Sequence, residues 1–177
     1  IPSFYIADGH HRAASAVKVG EKRRREHPGY NGKEEFNFFL SVLFPESELK
    51  ILDYNRIVKD LNGMTEEEFL VKMQELFDVS ELNETDKHPQ EKGTFSMYLK
   101  GQWYTCKIRP EDLNSDPVKG LDVSLLQDLL LQPVLGITDP KTDPRIDFVG
   151  GIRGTKELEK RCREDAKVAF AMYPTSI

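Results

Sequence analysis

Residues 4–12 constrain the chain most. Phe4-Tyr5-Ile6-Ala7 is an apolar run, Asp8-Gly9 is a turn, and His10-His11-Arg12 opens a helix. The run at residues 3–7 mixes aromatic and β-branched residues between Pro2 and Gly9, which predicts a buried or half-buried strand. From His10 onward the pattern is helical, with Ala13, Ala14 and Val17 forming a small-residue face suited to packing on a sheet. A strand passing straight into a helix calls for a layered fold containing both.

The same junction is the richest in chemistry. Asp8 suits an N-cap, since its carboxylate accepts from the free amides that begin a helix. Gly9 permits a tight turn and the close approach of a ligand to the backbone. A helix N-terminus carries unpaired N–H groups and roughly half a positive charge, so it attracts phosphates, sulfates and carboxylates. Arg12 adds a forked, permanently charged donor, and a histidine adds a donor or a proton relay. The competing explanation is an ordinary capped helix whose histidines pack against neighbours.

Ile6-Ala7-Asp8-Gly9-His10-His11-Arg12 resembles the signature of a bacterial and archaeal family of unknown function, DUF1015. Asn55-Arg56-Ile57-Val58, residues 121–126 with 135–137, and residues 169–175 fit the same family in order. The resemblance implies a protein about twice this long, of which this chain is the C-terminal half, without the short tail that follows in relatives. It also implies a histidine where Asn55 stands, and an amide cannot titrate. More distantly, the turn is similar to the phosphate-binding turn of the ParB/sulfiredoxin-like fold. That likeness implies phosphate binding by Gly9, His11 and Arg12. His10 stands where sulfiredoxin has its cysteine, which excludes sulfinic-acid repair.

The remainder predicts architecture. Residues 35–44 alternate, with Phe36, Phe38, Leu40, Val42 and Phe44 on one face and Phe39 and Leu43 on the other, as in a central strand. Residues 49–58 continue as a second strand, in which Arg56 can bind an anion or pair with an acid. Thr65 and Glu68 have capping-box spacing before a helix with a Phe69, Leu70, Met73, Leu76, Phe77 stripe. Residues 79–93 read as a surface loop. Residues 94–99 and 102–108 read as a hairpin with Trp103 and Tyr104 on opposite faces, at least one of them exposed or at a subdomain contact. Residues 121–133 form an apolar helix, capped by Ser124 with Gln127 or by Asp122, suited to the interior or to an oligomer contact. Asp139 and Asp143, each before a proline, read as turn chemistry rather than cation ligands. Residues 146–149 form a strand, and Gly150-Gly151-Ile152-Arg153-Gly154 opens a helix, making Arg153 a second candidate for the anion site. A final strand covers residues 168–173.

The expected fold class is therefore α+β: a mixed sheet with packed helices, and a hairpin-and-helix subdomain. The expected organisation is one domain, or part of one, with segments 1–60, 61–120 and 121–177. The net charge of −5 argues against broad nucleic-acid coating, and Lys22-Arg23-Arg24-Arg25 reads as a solvated helix C-terminus. Cys106 and Cys162, far apart and without metal-ligand spacing, suit free thiols in a cytoplasmic protein. No run reaches membrane-spanning length.

The leading functional expectation is an enzyme acting on a phosphorylated small molecule or nucleotide, a phosphotransferase or phosphate-ester hydrolase. His10, His11 and Asp8 are its catalytic candidates. Gly9, His11, Arg12, Arg56 and Arg153 are its phosphate ligands, and Mg would arrive with the nucleotide rather than at a protein metal site. The rival is a non-catalytic nucleotide-gated or nucleic-acid-binding module of the ParB-like class. A third reading, hydrolysis at a metal on Asp8, His10 and His11, suffers because adjacent helical side chains diverge by roughly 100°.

Overall fold

The computed structural model describes residues 3–83 and 85–175. Pro2, which bounds the expected first strand, and Glu84, within the expected loop at 79–93, lie outside the described residues. The chain divides into two units, residues 1–49 and residues 50–177.

The first unit holds one long helix, α1 (His10–Glu26), and two short 3-10 turns, Glu35–Asn37 and Glu46–Glu48. Two expected strands are absent from it. Residues 3–7 are irregular, and Phe4, Tyr5 and Ile6 are exposed. Residues 38–44 are likewise irregular, with Leu40 93% exposed. A strand needs neighbouring N–H and C=O groups to pair with. Among its described residues the first unit holds no strand, so the alternation at residues 36–44 finds no ladder there. Among its described residues only Gly20 is buried; a Cβ there would lie 3.1 Å from the Phe36 carbonyl oxygen.

The second unit is a six-stranded sheet between helices. Its strands are β1 (Tyr54–Val58), β2 (Phe77–Glu81), β3 (Thr94–Leu99), β4 (Gln102–Ile108), β5 (Ile146–Gly150) and β6 (Val168–Met172). Their order is β2-β4-β3-β6-β1-β5, and every pairing is antiparallel. The sheet is thus not mixed: no helix carries the chain to a parallel neighbour. The hairpin β3–β4 turns at Lys100 and Gly101, both at positive φ, and it shares the sheet with β1, β5 and β6.

Helix α2 (Glu66–Leu76) starts with the expected capping box of Thr65 and Glu68. It ends where β2 begins, so residues 79–81, expected as part of a surface loop, are extended instead. β2 is an edge strand paired only with β4, and such strands carry weak apolar alternation. Helix α3 (Asp122–Leu126) runs into a π-helical turn, Gln127–Leu131. No side chain caps α3; both Asp122 carboxylate oxygens instead accept from the Gly93 amide at 3.1 Å. Helix α4 (Gly154–Glu164) precedes β6.

Strand alternation sorts the core into two layers. Phe69 and Met73 of α2, with Leu125, Leu126, Leu130 and Leu131, pack on Val58, Phe95, Met97 and Phe170. Leu158 of α4 packs with Ile57, Tyr98, Trp103, Val149 and Ala169 on the other face. Covering both faces also resolves the hairpin aromatics. Trp103 is buried and donates to Glu159 at 2.8 Å, while Tyr104 is half-buried against the opposite layer. The leucines of residues 121–131 are all buried or half-buried, consistent with the interior reading of that helix.

Candidate functional site

The α1 junction starts with Gly9, the N-cap residue, at φ 76 and ψ 31 in the left-handed region that glycine tolerates best. The helix has no side-chain cap. Asp8, expected to cap it, turns back one residue earlier: its Oδ1 accepts from the Gly9 amide at 2.7 Å. Its Oδ2 accepts from Arg12 Nη2 at 3.3 Å. Arg12 therefore folds over the turn, and a Cβ on Gly9 would lie 3.0 Å from its Nε and Nη2. His10 and His11 occupy the first turn and are exposed. Amides free of side-chain acceptors, a guanidinium and two imidazoles thus surround one helix end. The expected strand before the turn is missing, so the junction is loop-to-helix rather than strand-to-helix.

The basic run beyond it is largely engaged with its own unit. Lys22 and Arg23 pair with Glu26 at 3.7 and 3.6 Å, and Arg24 donates to Asn37 at 2.8 Å and lies 5.8 Å from the Tyr30 ring centroid.

Arg56 and Arg153 belong to the second unit and are not brought together. Arg56 lies on the sheet face of Val58, opposite Phe148 of β5 and Phe170 of β6. Arg153 precedes α4, on the other face, and reaches Glu157 at 3.8 Å. Asn55 is fully buried: its Nδ2 donates to Asp53 at 2.5 Å, and its Oδ1 accepts from the Met172 amide at 2.9 Å. The oxygen end ties β1 to β6 and the nitrogen end is taken by Asp53 just before β1, which makes Asn55 a structural residue.

Arg56 has a different environment. Its side chain donates to the Tyr54 carbonyl, and its guanidinium carbon lies 5.4 Å from the Phe148 ring centroid and 5.8 Å from that of Tyr54. Burial pushes its pKa down to about 10. It lines a cavity of about 250 Å³ together with Lys119, Ser124, Gln127, Asp128 and Phe148. Lys119, Gln127 and Asp128 escaped sequence reasoning, because they lie in a connector and on a leucine-rich helix with no motif spacing. The one available signal was Gln127 itself, an amide set among leucines.

Neither aspartate of the proline turn is free for a cation. Asp139 accepts from Lys141 and Thr142, and Asp143 holds Arg145 at 2.8 Å. Among the described residues, no group of three or more His, Cys, Asp and Glu could hold a metal ion, which leaves the metal-hydrolysis reading without a donor set. Among the described residues no helix is long and apolar enough to cross a membrane.

No curated protein and no solved structure matches the chain. The model of the family described as "Protein of unknown function (DUF1015)" matches residues 1–124, which takes in the histidine turn, Arg56 and the start of α3 and leaves residues 135–137 and 169–175 beyond it. With more than half its length matched, the chain belongs to the DUF1015 family.

Proposed function

We propose that the chain binds a phosphorylated small molecule or a nucleotide at the N-terminus of α1. Gly9, His11 and Arg12 act as phosphate ligands, and His10 moves a proton. The observation that carries this reading is the combination at Gly9: a left-handed, uncapped helix start with the Arg12 guanidinium folded over it. Backbone amides and a guanidinium supply the donors a phosphate needs, and the helix dipole favours its charge. Asp8 holds the turn by accepting from the Gly9 amide, and it holds Arg12 until an anion competes for the guanidinium. Phosphoryl transfer or phosphate-ester hydrolysis fits an exposed imidazole beside bound phosphate.

Thermal-shift titration of the chain with nucleotides and with sugar and amino-acid phosphates tests this. A stabilising shift in wild type that disappears in Arg12→Ala is the expected result. A shift that persists unchanged in that variant removes the proposal.

A further inference from the structure

The cavity at Arg56 carries an inference independent of the α1 junction, because every lining residue belongs to the second unit. Arg56 differs from the other arginines of that unit in what its guanidinium meets. Arg109, Arg145, Arg153, Arg161 and Arg163 each have a carboxylate at 2.8 to 3.9 Å. Among the described residues Arg56 has none within ion-pair distance. The Tyr54 carbonyl uses one guanidinium N–H of the five available. The Phe148 and Tyr54 rings lie close enough to hold the planar group by cation–π attraction. A half-buried guanidinium fixed by carbonyl and rings, with N–H groups to spare, is preorganised for an oxyanion supplied from outside.

The rest of the lining narrows the anion. Lys119, exposed at the cavity, is a second cation without an ion-pair partner among the described residues, and Asp128 is a carboxylate paired with neither cation. The lining therefore has a single net positive charge. A carboxylate carries one negative charge and matches it, whereas a phosphate monoester carries roughly two and meets Asp128 with the surplus. Val123, Leu131 and Phe148 make much of the remaining wall, which suits an apolar body behind the charged group. The volume of about 250 Å³ limits that body to a small one.

We infer that this cavity is a binding site for a small organic monocarboxylate with an apolar body. The carboxylate meets the Arg56 fork with Lys119 beside it, and the body packs on Val123, Leu131 and Phe148. Asp128 disfavours dianions of the same shape.

The test uses the whole chain and isothermal titration with benzoate, acetate, benzamide and phenyl phosphate. Each titration is repeated in Arg12→Ala, so that the proposed phosphate site makes no contribution. Benzoate should bind saturably and equally well in both proteins. Benzamide keeps the shape and loses the charge, and acetate keeps the charge and loses the ring. Each should bind roughly tenfold or more weakly than benzoate. In Arg12→Ala, phenyl phosphate should bind more weakly than benzoate, and adding Asp128→Asn should tighten phenyl phosphate more than benzoate. Arg56→Gln should abolish saturable benzoate binding. Lys119→Met changes an exposed position that does not endanger folding, and it should weaken benzoate roughly threefold. Absence of benzoate binding overturns the inference, as does benzamide binding as tightly as benzoate or benzoate binding unchanged in Lys119→Met. Phenyl phosphate binding as tightly as benzoate in Arg12→Ala also overturns it, by marking an anion site that does not select carboxylates.

Discussion

Two residues decide how their surroundings are built. Gly9 sits at φ 76, where a side chain costs about 1 kcal/mol, and a Cβ there also presses on the Arg12 guanidinium. Gly9→Ala should therefore speed amide exchange over the first turn of α1 and displace Arg12, measurable by hydrogen-exchange mass spectrometry and by loss of any phosphate-induced thermal shift. Asn55 works through its amide rather than through backbone freedom. Asn55→Ala leaves the Met172 amide and the Asp53 carboxylate oxygen without this partner inside the fold. The cost should be roughly 3 kcal/mol, read as a fall in the urea midpoint without a change in slope. The family resemblance implies a histidine here and, with it, proton transfer. In this chain the buried amide staples two strands.

Helix starts in this chain follow two different rules. At α2 the Thr65 hydroxyl accepts from the Glu68 amide at 3.2 Å, and Glu68 reaches back to the Thr65 amide at 2.8 Å. Thr65→Ala should cost about 1 kcal/mol in equilibrium unfolding, with ligand binding untouched. At α1 no such box exists, and the donors that α2 satisfies internally stay open to an anion. The contrast was legible in part: Thr65-Glu66-Glu67-Glu68 is a local pattern and needed no tertiary information. The start of α1 at His10 was equally legible, but Asp8 capping was not borne out, because its carboxylate engages Gly9 and Arg12 instead. β2 was missed for a third reason: an edge strand with Asp78 and Ser80 gains its identity from pairing with β4.

At the scale of the second unit, ion pairs fasten the helices and turns to the sheet. Arg161 of α4 donates to Asp165 at 2.8 Å through two nitrogens and to Asp147 of β5 at 3.0 Å. The Arg161 hydrogen bond holds the Asp165 carboxyl below its usual range, and Arg145 does the same for Asp143. Asp147 is lowered first by the Phe148 amide and then by Arg161. A carboxyl whose pKa is lower folded than unfolded stabilises the fold above its unfolded value and loses that contribution as pH falls through the folded one. Stability should thus decline below about pH 4. Arg161→Met should flatten that decline in urea midpoints measured against pH. The effect will be modest, since these groups are largely solvent-accessible.

What the amino-acid order determined by itself was local: the helix start at His10, the capping box at Thr65, the β3–β4 hairpin, the glycine entry to α4 and the closing strand. Each rests on hydrogen bonds or periodicity within a dozen residues. What tertiary structure alone decided was which extended segments became strands and which polar groups found partners. Residues 36–44 carry the strongest strand alternation in the chain yet form none in the first unit, because a ladder needs a neighbour. Arg56 and Gln127, 71 positions apart in the sequence, line one cavity because β1 and the π-helical turn pack on the same sheet face.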